Sequence, residues 1–143
     1  MVPPSAGSQL EYQIFRLTAH TTDEGSLFVA DLHELGYGTY RRFGFICAVP
    51  GDAERGGHAH KQQGQIVVCV QGGCDIRLES HGRSVDVPLR QTGLALYLPA
   101  GYWRDLRAFT SDAIIALLAP EPFLEADYIR DYAAFLAWEL SAT

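Results

Sequence analysis

Positive charge is scarce in this chain. Lys and Arg total 11 against 17 Asp and Glu, and Lys61 is the one lysine. A net charge of -6 with no basic stripe excludes the electrostatic footprint of a nucleic-acid binder. Long hydrophobic runs are absent as well. None approaches the roughly 18 residues that a membrane-spanning helix needs, so no membrane partner is expected. Residues 1–8 (MVPPSAGS) have neither the basic nor the apolar region of an export signal and read as a loose tail, so the cytoplasm is the default compartment. Cysteine is sparse: Cys47, Cys69 and Cys74 make an odd count with no CxxC spacing. That excludes a disulfide framework and predicts three buried, reduced thiols.

Helical periodicity is missing from most of the chain. Short apolar segments recur instead, closed by Gly, Pro and polar turns. Leu27 to Ala30 follows Gly25-Ser26, and Tyr40 to Val49 stops at Pro50-Gly51. Gln65 to Val70 is β-branched and ends at Gly72-Gly73. Asp75 to Glu79 and Ser84 to Val87 alternate polar and apolar around Ser80-His81-Gly82-Arg83, which reads as a hairpin. Leu94 to Leu98 and Ala113 to Leu118 are two further strands. Past Pro120-Glu121-Pro122 the chain turns Ala-rich, and Leu124, Tyr128, Tyr132, Phe135 and Leu136 predict a helix over about 124–140. Many short strands and one terminal helix predict an all-β sandwich or barrel, in one domain spanning 1–143.

One segment carries the chemistry. In Arg55-Gly56-Gly57-His58-Ala59-His60-Lys61, the two histidines are two apart. On a strand, residues i and i+2 share a face, so both imidazoles point the same way. A second segment runs Gly93-Leu94-Ala95-Leu96-Tyr97-Leu98-Pro99-Ala100-Gly101-Tyr102-Trp103-Arg104. Together they resemble the two motifs of the cupins, small jelly-roll β-barrels. His58-Ala59-His60 and Gly72 stand as in the first motif, with Gln65 at its Glu position. Gly93, Pro99 and Gly101 stand as in the second, with Arg104 at its His position. A cupin metal takes three His and a carboxylate, and two of those four are replaced. Arg has no lone pair and a fixed positive charge, so no metal and no other cofactor is expected.

The likeness narrows to the nucleotide-sugar 3,4-ketoisomerases of the FdtA/QdtA (WxcM-like) family. It is carried by Arg55-Gly56, His58-Ala59-His60-Lys61, Gln65 to Cys69, Gly72-Gly73-Cys74, Phe109-Thr110-Ser111-Asp112 and Asp127-Tyr128-Ile129-Arg130-Asp131-Tyr132. The resemblance implies a metal-free homodimer with an N-terminal strand exchanged between subunits, and a dTDP-linked 4-keto-6-deoxyhexose as substrate. It implies His58 as the base at C3, His60 as a proton relay, and Arg104 as the stabiliser of the oxyanion. Arg55, Lys61, Gln65, Tyr97 and Trp103 are the expected substrate contacts, with core packing as the competing and stronger role for Tyr97. Gly44-Phe45 and Gly64 depart from the family, which often has a Tyr pair and a Glu there. A nucleotide-sugar epimerase and a non-catalytic sugar-nucleotide binder are the alternative readings. Asp127 and Arg130, three apart on the expected helix, read as a local ion pair or a dimer contact.

Overall fold

The structure, a computed structural model, describes residues 11–142. The predicted tail at 1–8 lies outside that range. Two five-stranded antiparallel sheets face each other. In spatial order, the first holds β1 (Gln13–Arg16), β9 (Leu94–Leu98), β6 (Gln65–Gln71), β11 (Ile114–Ala119) and β4 (Arg42–Cys47). The second holds β12 (Tyr128–Ile129), β5 (Arg55–His60), β10 (Trp103–Arg107), β7 (Cys74–Ser80) and β8 (Arg83–Leu89). A separate hairpin joins β2 (Thr18–Thr22) to β3 (Gly25–Val29). One helix, α1 (Tyr132–Ser141), closes the described chain. This is the all-β jelly-roll architecture expected from the sequence, with its C-terminal helix.

Side-chain alternation sorts the core into three layers. Val67, Leu96, Leu98, Ile76, Leu78 and Ile115 pack between the sheets. The other face of β6 and β9 is also covered: Ile66, Val68 and Ala95 pack with Phe15 under Tyr37 and Tyr97. A strand buried on both faces has no polar positions to alternate, which is why Gln65 to Val70 reads as a continuous apolar run. The third layer is Ala59, Trp103, Ile129 and Phe135, where α1 lies on the back of β5 and β10. Burying a side chain the size of Phe135 contributes about 1.5–3 kcal/mol, so this layer ties α1 to the sheet.

Three expectations are corrected. The helix begins at Tyr132, not near 124. Asp131 is its N-cap: the backbone is extended there, and its carboxylate accepts from Ala134 N at 2.9 Å. Upstream, Glu125–Asp127 is a single 3₁₀ turn, and Tyr128 and Ile129 pair with His60 and Ala59 as an edge strand. Cys69 and Cys74 are buried, but Cys47 ends the edge strand β4 and is exposed. Finally, β10 and the hairpin strand β2 come from segments without a strong apolar pattern; β2 is exposed along its whole length.

Candidate active site

The glycines before the histidine pair set its position. On β5, His58 pairs with Arg104 and Gly56 with Asp105, so Gly57 is the extra residue of a β-bulge. Gly56 has φ +87, and a Cβ there would meet the Arg104 carbonyl oxygen at 2.7 Å. Only glycine allows this close approach with that backbone. The bulge therefore fixes the register that puts His58 and Arg104 side by side on one face.

That face looks between the sheets. The His58 and His60 rings are 5.1 Å apart, centre to centre, as the i, i+2 spacing requires. Ala59, between them, points back into the layer under α1. Tyr128 sits over both imidazoles, 5.0 Å from His58 and 4.3 Å from His60. Arg104 is buried, and its Nη1 donates to Gln65 Oε1 at 2.8 Å across the two sheets. A longer contact of 3.4 Å joins Nη2 to the Tyr102 carbonyl. His58, His60, Arg104 and Gln65 are thus assembled in one place, as the sequence reading expected.

Asp127 joins them, which the sequence reading did not expect. It is buried, and its Oδ2 lies 2.9 Å from His60 Nδ1. Its Oδ1 accepts from Gln62 N at 2.7 Å. The expected Asp127–Arg130 ion pair is corrected accordingly. Arg130 instead forms a two-pronged pair with Glu125, at 2.7 and 3.0 Å, and stacks over Tyr128 at 4.3 Å. The signals were present: Asp131 is a good N-cap, and Tyr128-Ile129 is a β-prone doublet just before it.

The other candidates divide. Lys61 is exposed directly after His60, and Arg55 is exposed at the start of β5; neither has an ion-pair partner among the described residues. Trp103 and Tyr97 lie away from the histidines. Trp103 is on the back of β10, 5.6 Å from Phe135, and Tyr97 is on the outer face of β9, stacked 4.8 Å from Tyr37. Alternation explains both, since each is one residue out of phase with an inward-facing neighbour, Arg104 and Leu98.

Electrostatically the site is a neutral base pair beside a fixed cation. Burial, and then the Arg104 guanidinium, pull His58 and His60 down to about 4. Hydrogen bonding to Asp127 opposes this at His60 without reversing it. Burial lowers Arg104 to about 10, which leaves it charged at neutral pH. His58 Nδ1, His60 Nε2 and Arg104 Nε are buried without a hydrogen-bond partner among the described residues. Such atoms are costly unless a ligand or water completes them. The donor set does not suit a divalent cation. Gln65 is engaged by Arg104, and the guanidinium would repel a metal beside the imidazoles. Among the described residues no three His, Cys, Asp or Glu side chains cluster as metal ligands.

Two facing sheets that gather neutral imidazoles, a phenol and a buried guanidinium define a jelly-roll protein with groups suited to acid–base chemistry. Residues 10–139 match the family described as FdtA: WxcM-like, C-terminal, and the chain belongs to that family. It is 28% identical over 126 residues to the TDP-4-oxo-6-deoxy-alpha-D-glucose-3,4-oxoisomerase of Aneurinibacillus thermoaerophilus, covering 88% of this chain and 91% of the relative. QdtA, a sugar 3,4-ketoisomerase from Thermoanaerobacterium thermosaccharolyticum solved with TDP, superposes with a TM-score of 0.87 at 25% identity, over 92% of this chain and 96% of that one. A 3,4-ketoisomerase from Helicobacter canadensis gives a TM-score of 0.85 at 29% identity, over 92% and 99%.

Proposed function

We propose that this protein is a metal-independent sugar-nucleotide 3,4-ketoisomerase, converting dTDP-4-keto-6-deoxyglucose to a dTDP-3-keto-6-deoxyhexose. The observation that carries the reading is Arg104. It is a buried cation with no carboxylate in salt-bridge contact among the described residues, set against two neutral imidazoles. A buried unpaired charge is expensive, and it becomes useful where negative charge develops in a reaction. A ketone at C4 acidifies the hydrogen at C3, and removing it creates such an anion. His58 takes the C3 proton, the C–H electron pair forms C3=C4, and the carbonyl pair moves onto O4. The O3 proton passes to O4 through His60. The O3 pair then forms the new carbonyl, and C4 takes the proton from His58. One hydrogen moves from C3 to C4 and one from O3 to O4, with no oxidant consumed.

Arg104 holds the oxyanion in this reading, Gln65 orients the guanidinium, and Arg55 and Lys61 meet the diphosphate. The protein works as a single cupin domain in the cytoplasm; the described residues include no helix long and apolar enough to cross a membrane. It acts as a homodimer with N-terminal strand exchange. Support for the dimer comes from the hairpin β2–β3, which pairs with itself alone and exposes Leu27, and from the edge strand β4, which exposes Phe43 and Phe45. Leu10, Tyr12, Ile14 and Phe15 supply the apolar contact of that exchange; Leu10 lies outside the described residues.

The test is incubation with dTDP-4-keto-6-deoxyglucose in deuterated water, followed by NMR of the sugar ring. A 3-keto product with deuterium at C4 supports the reading. A 4-keto product inverted at C3 makes the protein an epimerase, and bound but unchanged substrate makes it a binder.

A further inference from the structure

His60 has one ring nitrogen committed and one open. Nδ1 faces Asp127 Oδ2 at 2.9 Å, while Nε2 is buried with no partner among the described residues. A carboxylate only accepts, so with a neutral imidazole the proton sits on Nδ1 and the lone pair on Nε2. Asp127 is itself held in place. Its second oxygen is taken by Gln62 N at 2.7 Å, and its own carbonyl oxygen accepts from Lys61 N at 2.9 Å. The 3₁₀ turn bearing Asp127 and the loop after His60 are therefore laced together on the Nδ1 side of the ring.

We propose that Asp127 is a positioning residue that fixes His60 in the Nδ1–H tautomer, so that the proton relay runs through Nε2 alone, acceptor first. This rests on the ketoisomerase reading and assigns a sequence to its relay. After C3 loses its proton, Nε2 takes the O3 proton, His60 becomes an imidazolium stabilised by Asp127, and the same nitrogen returns that proton to O4. The opposite tautomer would present a proton at Nε2 and no lone pair. It would have to protonate O4 first, which would leave an imidazolate, an anion that the Asp127 carboxylate beside Nδ1 would repel. Asp127 touches no reacting atom in this scheme.

Asp127→Asn tests it. The amide has one oxygen for two donors, Gln62 N and His60 Nδ1–H. With its oxygen on Gln62 N, its NH2 faces Nδ1, which must become an acceptor, and the His60 proton moves to Nε2. Two-bond ¹⁵N–¹H NMR of the wild-type protein should show His60 protonated at Nδ1; protonation at Nε2 there overturns the proposal, whatever the variant does. In Asp127→Asn, wash-in of deuterium at C3 should stay within a few-fold of wild type, because His58 is intact. Formation of the 3-keto product should fall about 10²-fold or more, the scale of a lost proton transfer. Equal losses of exchange and product would mean that Asp127 only supports the fold, and no loss of product would mean that the tautomer is irrelevant; either overturns the proposal. If the wild-type protein neither exchanges C3 nor makes product, the ketoisomerase reading fails, while the tautomer assignment is still decided by the NMR experiment.

Discussion

Acidification should expose the histidine pair as a weak point of the fold. His60 is wholly buried and its folded value lies near 4, against about 6.5 for a free imidazole. Burial is the first cause and Arg104 the second. Because the folded value lies below the unfolded one, the unfolded chain takes up the proton first as pH falls. Stability from this group is complete above about pH 6.5 and is lost as pH falls from there towards 4. The slope is about 1.4 kcal/mol per pH unit, so His60 alone should cost about 2 kcal/mol between pH 6.5 and pH 5. His58 adds to the loss in the same direction. Against a total of roughly 5–15 kcal/mol for a domain, this is a visible drop. Urea unfolding from pH 7.5 to pH 5, on the wild type and on His60→Gln, measures it: the variant should show a shallower decline by about that amount. The ¹H–¹³C signals of both rings should not titrate above pH 5. If His60 titrates near 7, or stability rises on acidification, Asp127 outweighs burial and Arg104, and the neutral-pair account of the site is wrong.

Turnover of His58→Asn should fall by about 10² to 10⁴, as expected for loss of a general base, with dTDP affinity by calorimetry unchanged. Retained C3 exchange in this variant would mean that His60, not His58, is the base. Phe135→Ala should destabilise by about 3–5 kcal/mol in urea, the usual cost of emptying a fully buried aromatic site; a loss under 1 kcal/mol would show that α1 is not anchored through this residue. Light scattering at micromolar concentration should give twice the 15.7 kDa chain mass, and a clean monomer would count against strand exchange.

The sequence was most informative where one physical rule acted alone. Alternation in Asp75 to Glu79 and Ser84 to Val87 located the hairpin of β7 and β8, because one face of each strand is core and the other is wet. The i, i+2 spacing of His58 and His60 put both rings on one face for the same reason. It failed where tertiary contact overrode local pattern. Residues 124–131 have apolar spacing compatible with a helix, yet after one 3₁₀ turn the pairing of Tyr128 with His60 and the capping by Asp131 keep the backbone extended up to Tyr132. That error hid Asp127, since a residue read on a helix surface offers no reason to approach a strand 67 positions earlier. Trp103 and Tyr97 pack in layers away from the histidines for a simpler reason. Aromatic content marks a side chain that will be buried, but only the phase of the strand says which layer buries it.

The terminal segment ties these points together. The link between packing and chemistry is β5, whose two faces belong to different environments. Its back, at Ala59, is clamped by Trp103, Ile129 and Phe135, and its front carries the imidazoles. A strand held on one face by a helix cannot shift along its axis, so the His58–Arg104 register set by the Gly57 bulge is kept. The next step along the chain from that clamp, Tyr128, closes the front of the site, and the step before it supplies Asp127. One continuous stretch from Asp127 to Phe135 therefore orients His60, covers both rings and pins the strand that bears them. On the proposed reading, the carboxylate of Asp127 does the organising at His60, holding the ring through Nδ1 on a strand that the sheet keeps rigid. Arg104, bonded to Gln65 across the two sheets, sets a buried positive charge beside the same two rings.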